Sequence, residues 1–112
     1  MKPTAKTLES IYIMLCQMKP FKYWDLPNTA EIEFKVVNEE YAFGTYVYQD
    51  DIHKICISRA NCSHFITIVK SLAHECIHMK RYKTKVWDKH DAIFRRYAKQ
   101  IGDEFGIDPL EI

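Results

Sequence analysis

Glycine and proline are scarce, at 3 and 4 of 112 residues. That excludes collagen-like, linker-like and low-complexity chains. No CxxC pair occurs. Cys16, Cys56, Cys62 and Cys76 are scattered, so no zinc ribbon is encoded and four reduced thiols are expected. No stretch approaches the ~20 apolar residues that span a bilayer. The first apolar run, Ile11–Leu15, is short, has helical spacing and is followed by no small-residue cleavage site. A cytoplasmic protein without membrane contact is therefore expected. Net charge is nearly absent too. Sixteen Lys+Arg oppose fifteen Asp+Glu, giving +1. A strongly basic nucleic-acid module and an acidic tail protein are excluded as default readings.

What is present is globular composition, with 47% hydrophobic and 28% charged residues. The length suits one domain over residues 1–112. Leu8, Ile11, Tyr12 and Leu15 recur at i, i+3, i+4, i+7, so Thr4 or Thr7 opens a helix reaching about Met18. Pro20 and Pro27 bracket an aromatic-rich link. Three strand-like runs follow: Ile32–Val36, residues 41–48 and Ile52–Ser58. The short links Asn38–Glu40 and Gln49–Asp51 suggest hairpins, hence an antiparallel meander.

After Ser58 the apolar period changes from 2 to 3.6. Ser63 can cap a helix to about Tyr82, with Phe65, Ile66, Val69, Leu72, Ala73, Cys76 and Ile77 as its buried stripe. Asp88 is expected to cap a last helix, with Asp91 at its third position. Gly106 ends that helix, Ile107 can fold back, and Pro109 prevents continuation. Gly102 inside it costs up to ~1 kcal/mol relative to Ala. The order α, β-β-β, α, α is that of an α+β domain, with helices on one face of a small sheet.

Residues 74–78 read His-Glu-Cys-Ile-His. On a helix, positions i and i+4 lie about 40° apart, so both imidazoles can face one metal ion. Glu75 lies about 100° around and can reach the attacking water without being a ligand. Two nitrogen ligands, an open position and a carboxylate base are what a hydrolytic zinc site needs. With five His and eight Glu, chance supplies roughly 0.015 such pentapeptides. Two histidines satisfied by core hydrogen bonds are the bland alternative. Burying two His and a Glu on an apolar helix is costly without a metal or other partners.

A third ligand is usually needed. A metzincin pattern would place Gly at 81 and His at 84, where this chain has Arg81 and Thr84. Glu104 is possible but falls near the end of its helix. His90 is the better candidate, because a helix-connector-helix unit can bring the start of the last helix beside the motif.

His74-Glu75-Cys76-Ile77-His78, a basic connector with Trp87, then His90-Asp91-Ala92-Ile93-Phe94 resembles the SprT-like metalloprotease domain. That family includes the Spartan proteases, which degrade proteins crosslinked to DNA. The resemblance covers roughly residues 30–106, including the strand Ile52–Ser58 before the motif. It implies a zincin-like fold with a mainly antiparallel three-stranded sheet. It further implies Zn²⁺ on His74, His78 and His90, with Glu75 as general base of an endopeptidase acting on a protein or peptide. The family often has Gly where this chain has Asp91, and many members carry a zinc ribbon or DNA-binding extensions. The expectation here is a minimal protease core.

Tyr82, Tyr46 and Tyr48 are candidate donors to the oxyanion. Ile52–Ser58 is taken as the sheet edge that a substrate strand could join. His53 and His64 carry no assigned role. Residues 80–99 hold eight Lys/Arg against Asp88 and Asp91, a local +6, while residues 31–50 and 100–112 are each −4. The basic block could contact DNA phosphates, with Trp87 or Tyr82 stacking on a base. A solvated helix face is the alternative. Two other functions fit the sequence: a peptidase resembling the ImmA/IrrE type with an acidic third ligand, and a non-catalytic zinc-containing binding or inhibitor protein.

Overall fold

The computed structural model describes residues 2–40 and 42–112. Helix α1 spans Ala5–Cys16 and is capped by Thr4, in a reciprocal box with Thr7. Leu8, Ile11, Tyr12 and Leu15 are its buried face. After single 3-10 turns at Phe21–Tyr23 and Thr29–Glu31 come strands β1 (Ile32–Val37), β2 (Gly44–Gln49) and β3 (Ile52–Ser58). The expected strand start at Tyr41 lies outside the described residues. Helices α2 (Phe65–Lys80) and α3 (Ala92–Phe105) follow, then a 3-10 turn at Pro109–Glu111.

The fold is α+β, and its sheet is mixed, in the order β1-β3-β2. β2 and β3 form the expected hairpin. Asp50 and Asp51 both have positive φ, 55° and 61°, as a two-residue turn of the I′ kind requires. β1, however, pairs parallel with β3, Ile32 opposite His53, so the expected meander does not form. The link after β1, described at residues 38–40 and 42–43, lies against the end of β3 instead of making a hairpin. Its carbonyls are gathered by Asn61, whose Nδ2 donates to Glu40 and Ala42 at 3.0 and 2.7 Å. Ser58 Oγ accepts from Glu39 N at 3.0 Å. Polar side chains at the end of β3 and just after it thus satisfy a backbone that no ladder serves.

β3 is the central strand. His53, Ile55 and Ile57 are buried on one face, the face that meets α2. Glu33, Lys35, Thr45 and Lys54 lie together on the other. Each buried Ile contributes about 1.5–3 kcal/mol. α2 is enclosed nearly all round, with Ile68, Val69, Leu72, Cys76, Ile77 and Met79 buried. Its first turn departs from expectation: His64, not Ser63, is the cap residue, and it makes no side-chain bond. Phe65 and Ile66 are 52% and 48% exposed, so the buried stripe starts one turn later.

α3 begins three residues later than Asp88 would place it. Asp91 is its cap, and Oδ1 accepts from Phe94 N at 3.0 Å. Phe94, Ala98, Ile101 and Gly102 form its buried stripe. Gly106 closes it with φ of 70°. No helix is long and apolar enough to cross a membrane among the described residues.

Candidate metal and catalytic site

His74 and His78 project from the last two turns of α2, and His90 stands in the connector just before Asp91. His78 Nδ1 is 2.7 Å from the main-chain oxygen of Trp87, and His74 Nδ1 is 3.1 Å from that of Ile112. A main-chain oxygen only accepts, so each Nδ1 carries the ring proton and each Nε2 keeps a free lone pair. Those Nε2 atoms face each other at 3.1 Å, and His90 Nε2 lies 3.2 Å from that of His78. One donor atom from each ring falls within 4.8 Å of the others.

Burial pushes the His74 pKa down to about 4, helped by the neighbouring His78 and His90. Burial lowers His78 as well. At neutral pH these two rings are therefore uncharged, and their converging lone pairs have no proton to share. That arrangement is repulsive unless a cation lies between them. Two nitrogens bound tetrahedrally at ~2.0–2.1 Å from one metal ion are roughly 3.3–3.4 Å apart, close to the 3.1 and 3.2 Å of the His74–His78 and His78–His90 pairs. An all-imidazole set suits zinc and neighbouring transition metals.

Phe94 packs against all three rings, with centroids 4.9, 5.1 and 4.7 Å from His74, His78 and His90. Trp87 meets His78 edge-on at 6.3 Å. Glu75 is buried, and burial alone raises its carboxyl to about 8. A cation on the histidines would pull that value back down. Glu75 and His74 line a cleft of about 470 Å³ with Phe43, Gly44, Ser71 and Ile112.

Several expectations resolve differently. Glu104 is exposed and stands outside the histidine group. The three candidate tyrosines gather around His53. Tyr46 Oη is bonded to His53 Nδ1 at 2.7 Å, and the Tyr48 and Tyr82 rings lie 4.6 and 4.7 Å from it. They border a different depression, shared with Trp87. β3 is not the sheet edge. The edge beside the cleft is β2, whose first residue, Gly44, borders Glu75.

Three supports were not read from the sequence. The Trp87 and Ile112 main-chain oxygens have no sequence signal, because any residue carries one. By sequence Arg81 belongs to the basic block 80–99. It is 5% exposed and bonds Asp91 through both nitrogens, at 2.9 and 2.8 Å. An Arg ten residues before a helix-capping Asp was the available hint.

A mixed sheet covered by helices, with two imidazoles on one helix and a third ahead of the next, defines a zincin-like protein whose three-histidine group could hold a metal ion. The SprT-like family model matches residues 16–111. The chain belongs to the SprT-like family. No curated protein and no solved structure matches it.

Proposed function

We propose that the protein is a zinc-dependent endopeptidase. The observation that carries this is the convergence of three imidazole Nε2 atoms beside a buried carboxyl in an open cleft. His74, His78 and His90 would hold the ion. Zinc there would polarise a scissile carbonyl and make water a ready nucleophile. Glu75 takes the proton of the attacking water and passes it to the leaving amine. Its place one residue after His74 keeps it in the cleft and out of the ligand set. An extended peptide would pair along the outer edge of β2, with little sequence preference.

The donor set favours this over the other two functions. No acidic side chain joins the group among the described residues, as an ImmA/IrrE-like site would need. Neither does a fourth protein ligand, as a closed structural zinc would need. Zinc stoichiometry and cleavage of an unfolded protein substrate test the proposal. Glu75→Gln should keep the zinc and lose cleavage, whereas full activity in that variant rules Glu75 out as the base. His90→Ala should lose zinc, and unchanged zinc content removes it from the ligands.

The same reading includes substrates held on DNA. Lys83, Lys85, Lys89, Arg95 and Arg96 are exposed and adjoin the connector and α3. Tyr82 and Trp87 border a depression beside them that a base could stack in. Affinity for single-stranded DNA should fall steeply with salt. Binding that is unaltered by reversing Lys83, Lys85 and Lys89 to Glu would eliminate this part.

A further inference from the structure

We infer that Gly102 and the segment 107–112 form a positioning strap that sets the tautomer and orientation of His74. The strap starts where α3 ends. Gly106 takes the left-handed conformation, and Gly106 N and Ile107 N both donate to Gly102 O, at 2.9 and 3.1 Å. The chain then doubles back flat against Gly102. A Cβ on that residue would stand 2.5 Å from Ile107 O and 2.9 Å from Pro109 Cγ. Real Cβ atoms do not approach so closely, so glycine at 102 is a packing requirement and not a helix-weakening accident. Next, Asp108 Oδ1 accepts from Leu110 N at 3.0 Å and starts the turn Pro109–Glu111. Glu111 reaches Lys70 on α2 at 3.5 Å. The Ile112 side chain is buried, and its main-chain oxygen meets His74 Nδ1.

The strap is thus tied to α3 at Gly102, to α2 at Lys70 and to the site at His74. It also walls the cleft with Glu111 and Ile112. His78 owes its matching support to a different segment, the Trp87 main-chain oxygen. The two histidines of the motif are held by two different downstream segments, one by the connector and one by the strap. Outer partners of this kind fix which ring nitrogen is free and typically change metal affinity 10–100-fold when lost. Gly102 and Asp108 touch neither histidine nor substrate, and act only through Ile112.

The inference deepens the metal site proposed above, and rests on it only for the zinc measurement. The test uses the full chain, metal-free, at neutral pH, with ¹⁵N-labelled histidine, so that imidazole NMR reports each ring's tautomer. The parent protein should show Nδ1–H at both His74 and His78. Gly102→Ala should convert His74 to a mixed, fast-exchanging tautomer while leaving His78 unchanged. Its zinc affinity, read by competition with a chromogenic chelator, should fall roughly 10–100-fold. Asp108→Ala, which loosens the strap without crowding it, should move His74 in the same direction by less, and it decides the matter should Gly102→Ala not fold. An unchanged His74 signal in Asp108→Ala and in any folded Gly102→Ala overturns the strap. So does an equal change at His74 and His78, which would mark general loosening. A parent protein that binds no zinc defeats the metal site, yet leaves the tautomer result standing.

Discussion

Arg81, which caps the end of α2, grips Asp91, which caps the start of α3, through a two-pronged bond at 2.9 and 2.8 Å. The same guanidinium donates to Lys89 O at 3.2 Å. Both chain neighbours of His90 are therefore held by one buried cation. The carboxylate is shared, since Asp91 Oδ1 also accepts from Phe94 N. His90 itself is exposed, and its position depends on this brace and on Phe94. A lysine carries the charge but not the planar fork. Arg81→Lys should therefore lower zinc affinity by about tenfold or more, and Arg81→Ala at least as much. Chelator competition measures both, and unaltered affinity in the two variants would remove Arg81 from the support of His90.

Acid should unfold the metal-free protein in two windows of the same sign. Burial sets His74 at about 4, below its ordinary 6.5. The unfolded chain takes up that proton first, so the contribution is complete above 6.5 and lost as pH falls through 4. Asp91 is held at about 2, first by its bond to Arg81. Its contribution is complete above the ordinary 3.8 and lost as pH falls through 2. Glu75 works in the opposite sense. Its folded value of about 8 lies above 4.5, so its contribution is present below 4.5 and is lost as pH rises through 8. Urea midpoints of the parent and Glu75→Gln should diverge in favour of the variant between pH 4.5 and 8. A gap that stays constant across that range would show that the carboxyl ionises normally.

Much of this was legible because local rules agreed with the tertiary fold. The α1 stripe, the Asp50-Asp51 turn, Gly106 and the helical HExxH each follow from short-range chemistry. The parallel β1–β3 pairing was not legible. Loop length alone suggested a hairpin, whereas the link after β1 is fixed by Asn61 and Ser58, about twenty residues away in sequence. A hint did exist in the charges, one in β3 at Lys54 against two in β1 at Glu33 and Lys35. His90 could be chosen from its spacing, but its supports could not. Main-chain oxygens leave no mark in a sequence, and Arg81 looked like one more surface cation beside seven others.

Gly44 sets how closely β2 approaches Glu75. A Cβ there would stand 2.9 Å from Cys56 O, 2.8 Å from Ile57 Cδ1 and 3.3 Å from Glu75 Oε2. The Cys56 oxygen belongs to the sheet and cannot yield without parting β2 from β3, where Gly44 pairs with Ile57. Gly44→Ala should cost about 1–3 kcal/mol of stability and reduce turnover beyond that loss, with zinc stoichiometry unchanged. Urea unfolding, zinc analysis and cleavage rates at a temperature where the variant is fully folded separate these effects. Turnover equal to the parent's under those conditions would confine Gly44 to a role in the sheet.

Phe94 packs against all three imidazoles, and it is fully buried at the start of α3. Truncation to alanine should cost about 3–5 kcal/mol through the cavity it leaves. That loss alone says little about the site. Phe94→Leu keeps most of the volume, so its stability should change far less than that of the alanine variant. It still removes the flat face on which the rings lean, and the apolar shell around a metal controls its solvent access. Zinc affinity should therefore fall in Phe94→Leu by more than its stability change accounts for, and the visible spectrum of the cobalt-loaded protein should shift. A leucine variant with the parent's zinc affinity and cobalt spectrum would show that Phe94 fills the core and leaves the histidines to be aligned by Trp87, Ile112 and Arg81.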